Sequence, residues 1–238
     1  LVYGVFDDVD VRSEQRFDSL TTEFTQFTLD GSHDFGNGLK LTALAGMAES
    51  EHDNPKQTTL LFDALDVDGY VYDFRKDDRL PLISYGALDV TAPASWRLTQ
   101  IRLRPQTADN SFNTFEGNLE YEFSPALTLK GGVQFKQYEF ETTELRRSNG
   151  TTSNQEAVIP ASVAGVPLTD YSSIVNLNGL DAPSGTTLRW LVPNVRQAGS
   201  LLSLYDRTLF PMGPEPSLGN NQEVAEDDAG GFVQLDFN

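Results

Sequence analysis

The sequence contains no cysteine, so neither a disulfide framework nor a thiolate metal site is available to it. Histidine is nearly absent: His33 and His52 are the two, neither has a partner at ligand spacing, and no metal is expected. Basic residues are scarce, 17 against 35 acidic, giving a net charge of −18. That balance excludes nucleic acid, whose phosphates need a basic face. No apolar run approaches the roughly 18 residues of a membrane helix. Crossing by strands stays open, because barrel strands are apolar only at alternate positions. Also missing are a G-x-S-x-G elbow, an H-E-x-x-H pair and a P-loop. No catalytic constellation and no cofactor are expected, and the chain does not read as an enzyme.

What is there is alternation. In Asn110–Thr142, Phe115, Gly117, Leu119, Tyr121 and Phe123 share one face, against Thr114, Glu116, Asn118, Glu120 and Glu122. After the break Ser124-Pro125-Ala126, Leu127, Leu129, Gly131, Val133 and Phe135 oppose Thr128, Lys130, Gly132, Gln134 and Lys136. Period 2 predicts two antiparallel strands joined by a tight turn. A second hairpin of the same design spans 22–48. Its turn is Gly36-Asn37-Gly38, flanked by Phe27 and Leu29 on one side and Leu39, Leu41, Ala43, Ala45 and Met47 on the other. Strands of soluble sheets usually run to about five or six residues, whereas about ten alternating residues span an outer membrane.

Between and after the hairpins the periodicity fades, over 51–109 and 143–230. Short turns on one side and long loops on the other are the pattern of an outer-membrane barrel. The expected fold is all-β: part of an antiparallel transmembrane β-barrel, about five strands with two complete hairpins, and long extracellular loops. Residues 1–238 form one partial barrel domain on this reading. The opening lacks a methionine and a signal peptide, and the end falls inside an alternating run, so an internal fragment is expected.

The loops carry several candidates. Asp7, Asp8 and Asp10 are a possible calcium triad without the Gly and Glu of an EF-hand loop. Paired arginines, Arg102 with Arg104 and Arg146 with Arg147, suit an anionic ligand, although local carboxylates compete for them. Asp66–Asp73 mixes acids with aromatics, as sugar-stacking loops do, and reads equally as a hairpin. Trp96 and Trp190 have loop packing as their default role, Asn149-Gly150-Thr151 fits a glycosylation sequon, and Leu188–Tyr205 admits a short helix.

Five segments then suggest a family: TTEFTQFTLDGSHDF (21–35), DNPKQTTLLFD (53–63), LTQIRLRPQTADN (98–110), TELRRSNGTTSNQE (143–156) and GPEPSLGNNQEV (213–224). With them the sequence resembles the barrel portion of TonB-dependent outer-membrane receptors, of the subfamily found in Xanthomonas-, Caulobacter- and Sphingomonas-like Gram-negative bacteria. The resemblance implies active import of a scarce nutrient, a carbohydrate or a ferric siderophore-like ligand, through a barrel of about twenty-two strands around a plug. Partners would be outer-membrane lipid, the protein's own plug domain and the TonB complex. No TonB box, plug or closing C-terminal strand is found in this stretch.

On this reading Phe27, Leu29, Leu41, Phe115, Leu119, Leu127, Leu129, Val133 and Phe135 face lipid, while Asn118, Glu120, Lys130, Gln134 and Lys136 line the lumen. Tyr70, Tyr72, Tyr85, Trp96, Arg102, Arg104, Arg146, Arg147 and Trp190 are the candidate ligand contacts. The alternative is a soluble all-β carbohydrate-binding domain whose apolar faces meet in a sandwich.

Overall fold

The computed structural model describes residues 2–237. The chain is all-β with antiparallel sheets, and divides into two compact units. Its strands are β1 (Tyr3–Phe6), β2 (Val9–Asp34), β3 (Leu39–Val67), β4 (Tyr70–Asp73), β5 (Leu82–Tyr85), β6 (Arg97–Leu103), β7 (Gln106–Ser124), β8 (Leu127–Glu144), β9 (Arg146–Arg147), β10 (Ser172–Asn176), β11 (Arg189–Pro193), β12 (Met212–Gly213) and β13 (Gln222–Phe237). Short helices α1 (Ala161–Ala164) and α2 (Val195–Leu201) lie between them, the second inside the segment expected to hold a helix.

One unit comprises Leu20–Pro55, Gln106–Glu144 and Ser217–Asn238. It is built on a sheet of order β13-β8-β7-β3-β2, with β2 and β13 at the edges and no barrel closed by these strands. Both expected hairpins are present. Gly36 and Gly38 take positive φ (74° and 84°), and the Phe35 amide donates to the Leu39 carbonyl at 2.9 Å to close the first turn. Gly38 is also held by crowding, because a Cβ there would stand 2.6 Å from the Glu122 carbonyl oxygen. The strands are longer than expected: β2 has 26 residues, β3 29, β7 19, β8 18 and β13 16.

The other unit comprises Leu1–Ser19, Lys56–Pro105 and Leu145–Pro216, and it holds every buried apolar side chain among the described residues. Its core gathers Leu60, Phe62, Ile101, Tyr171, Val195 and Phe210, none more than 1% exposed. The stretches expected as irregular loops therefore differ from expectation. Residues 51–67 continue β3, residues 106–109 open β7, and 222–230 belong to β13. The reason is burial. From Thr58 to Ala64 β3 is covered on both faces, so Leu60, Leu61 and Phe62 follow one another without alternating and the period-2 signal is lost.

Candidate functional site

Register turns the alternation into rows. Four rows of directly opposed residues cross β3, β7, β8 and β13 on one face: Leu39–Tyr121–Leu129–Leu235, Leu41–Leu119–Gly131–Val233, Ala43–Gly117–Val133–Gly231 and Ala45–Phe115–Phe135–Ala229. Leu127 opposite Phe237 extends the same face toward the turn. Among the described residues nothing covers it, with Leu119 51% and Phe135 51% exposed. The next three rows turn polar, on β7, β8 and β13 from the first of them and on β3 one row later, after Met47. They are Met47–Asn113–Gln137–Asp227, Glu49–Ser111–Glu139–Ala225 and Glu51–Asp109–Glu141–Glu223. The apolar band thus ends at one level on β7, β8 and β13, and one row higher on β3. Leu127 to Phe135 covers roughly 27 Å along the strand, or about 20 Å once tilted by 35–45°.

The opposite face of the band is polar. Lys40–Glu120–Lys130–Gln234 and Gly46–Thr114–Lys136–Asp228 are two of its rows, and they put Glu120, Lys130 and Lys136 with Asn118 and Gln134 on that face. Lys130 Nζ lies 2.9 Å from Asp236 and 3.8 Å from Glu120, a charge ladder across three strands. Above the band the polarity inverts. There this face carries Phe112 stacked on Tyr138 at 4.6 Å.

The candidate ligand contacts do not gather at one place. Tyr70 and Tyr85 are opposed on β4 and β5, with ring centroids 5.6 Å apart, and Phe6 on β1 extends the row at 6.2 Å from Tyr70. Tyr72 is one strand step away, edge-on to Phe74 at 4.9 Å. These rings stay partly exposed. Trp96 is core: it is 6% exposed and its indole N–H donates to the Val90 carbonyl at 3.1 Å. Trp190 packs against the same core.

The arginines are engaged within the chain, as an acidic composition favours. Arg104 holds Glu156 by two bonds, 2.7 and 2.8 Å, and Arg102 stands 3.9 Å from the same carboxylate. Arg147, 4% exposed, donates to the carbonyls of Ile101, Glu156 and Val158 and lies over the Phe210 ring. Arg146 reaches the Pro216 carbonyl at 3.5 Å. Burial alone would raise the Glu156 carboxyl, but hydrogen bonds from Arg104 and Asn154 more than offset it and hold it below the usual range. Glu156 gave no signal in the sequence, since nothing marked it as the acid that the arginines would find. A parallel pair is Asp63, also held low against its burial by Arg12 and Thr99.

The acidic turn is real but inward-bonded. The Gly69 amide donates to Asp7 (2.8 Å) and the Asp8 amide to Asp68 (3.1 Å), pinning two turns together. No group of three acidic or histidine side chains suited to a metal ion is found among the described residues.

Comparison with protein-family models, curated proteins and solved structures gives no match. The functional reading rests on the geometry of the two faces.

Proposed function

We propose that this chain forms part of the wall of an outer-membrane β-barrel, and that the barrel is a TonB-dependent transporter of a scarce nutrient. The observation that supports this is the apolar band, whose upper edge falls at one level on β7, β8 and β13 and within one row of it on β3. A lipid-facing band flanked by polar rows has this shape and about this height. A sandwich core needs no common edge, and it needs a second layer. Among the described residues nothing buries this face, which weighs against the soluble carbohydrate-binding alternative.

Of the two ligand classes, a carbohydrate suits the loop unit better than a ferric chelate. An anionic chelate calls for available cations, and Arg104 and Arg147 are committed to Glu156 and to backbone carbonyls. The partly exposed row Phe6, Tyr70 and Tyr85 offers ring faces for sugar C–H groups.

Cell fractionation of the intact protein tests the membrane reading. The protein should pellet with outer membranes, resist an alkaline wash and dissolve only in detergent. Recovery in the aqueous supernatant would discard it.

A further inference from the structure

A groove of about 610 Å³ crosses the apolar face of the long sheet, and its floor is glycine. Gly117 and Gly131 are diagonal neighbours on β7 and β8, the first opposite Val133 and the second opposite Leu119. Leu41 and Leu119 wall one side, Phe115 and Val133 the other. Lys130 is the one charged residue among those lining the groove, and register puts its side chain on the opposite face, beside Asp236 and Glu120.

Glycine weakens a strand interior, so two side by side in the floor of one groove need a cause. Backbone conformation does not supply it, because neither has a positive φ. Crowding does not supply it either. A Cβ at Gly117 would meet Phe115 at 3.6 Å and Val133 at 4.0 Å, and one at Gly131 would meet the Phe232 carbonyl oxygen at 3.4 Å, all ordinary contact. Gly132 is the contrast: there a Cβ would fall 2.1 Å from Asn118 Oδ1 and 2.6 Å from the Phe232 ring. At Gly132 the space is already taken by neighbouring side chains, whereas at Gly117 and Gly131 it is left open.

We infer that this groove seats one acyl chain of a membrane lipid. The inference rests on the membrane-spanning reading above. A sugar or an ion would find almost no hydrogen-bonding group in the groove, and a floor two glycines wide fits a slender, flexible occupant. The first polar residues above it, Asn113, Gln137 and Asp227 on β7, β8 and β13, lie two rows above the floor row of Gly117, so a chain descending from headgroup level stays in hydrocarbon.

The test uses the intact protein in nanodiscs of phosphatidylethanolamine doped with a phospholipid spin-labelled on its acyl chain. Electron paramagnetic resonance then counts motionally restricted chains per protein. Gly117→Leu combined with Gly131→Leu should remove one restricted chain. Gly230→Leu, in open space on the other face, should leave the count unchanged. Equal counts in all three proteins would overturn the groove as a lipid seat. Should the filled variant not fold, Val133→Ala widens the groove and should strengthen the restricted signal, and no change there overturns the proposal equally. A protein that never enters the nanodisc sinks the membrane reading itself, and the groove with it.

Discussion

At the residue scale, the loop unit is held by carboxylates that only their partners make tolerable. Glu156 is 4% exposed and Arg104 27%, so the pair is largely withdrawn from water. Removing one partner of a buried pair typically costs about 3–5 kcal/mol. With Arg104 partly solvated, Glu156→Ala is expected to cost about 2–3 kcal/mol, read from denaturant unfolding. A cost under about 0.5 kcal/mol, the range of ordinary surface substitutions, would show that the network is dispensable. The pH dependence follows from the direction of the shifts. Glu156 and Asp63 both have folded pKa values below the ordinary ones. Their contribution is complete above the unfolded values near 4 and disappears as pH falls through the lower folded values. The melting temperature should therefore be level from pH 7 to about 5 and fall below about 4. A melting temperature that rises on acidification would contradict this assignment. Gly38 is the sharpest single backbone requirement, with φ of 84° and a neighbouring carbonyl 2.6 Å from any added Cβ. Gly38→Ala should destabilise the first hairpin by more than the roughly 1 kcal/mol of a simple left-handed penalty. A neutral result in thermal melts would remove that requirement.

At the element scale, the two faces of β7 make opposite demands. Leu119 sits mid-band and Asn118 on the polar face directly beside it in sequence. In a bilayer, Leu119→Arg should cost about 2–4 kcal/mol while Asn118→Arg costs little. Measured by reversible unfolding in lipid vesicles, equal costs at both positions would defeat the assignment of faces. Higher on the same strands, Glu51, Asp109, Glu141 and Glu223 are directly opposed on four neighbours. Like charges so arranged are destabilising by roughly 0.2–1 kcal/mol per pair, and salt screens them. Glu141→Gln, which removes the centre of the row, should raise stability at low salt, with the gain fading toward about 1 M salt. A loss of stability on that change would mean that the row is not repulsive.

At the scale of the whole molecule, burial is divided unevenly. The loop unit owns the core, with Leu60, Val195 and Phe210 at 0% exposure, while the long sheet leaves Phe27, Leu29 and Val233 more than half exposed. On the membrane-spanning reading proposed above, such a chain meets two solvents. Hydrogen exchange should accordingly find slow amides in β6 and α2, which the core covers. Amides of the edge strand β13 should exchange rapidly unless a further strand pairs with them. Slow exchange along β13 in detergent would indicate a partner strand beside it.

The sequence by itself determined the strands of the band and both turns. Alternation survives wherever one face is apolar and the other polar, and Gly36-Asn37-Gly38 states its own geometry. It also determined which residues share a face, since the apolar and the polar sets read from β7 and β8 fall in separate rows in the register observed. It did not reveal that 58–64 is strand, because a segment buried on both faces has no period to read. Nor did it reveal that the apparent loops pack a core. Trp96, Tyr171 and Phe210 come from segments far apart in sequence, and their burial exists only once the chain has folded. The fates of Arg104 and Arg147 were settled in the same way. An arginine's partner is chosen by proximity, and only the tertiary structure brings Glu156, 52 residues on, to Arg104.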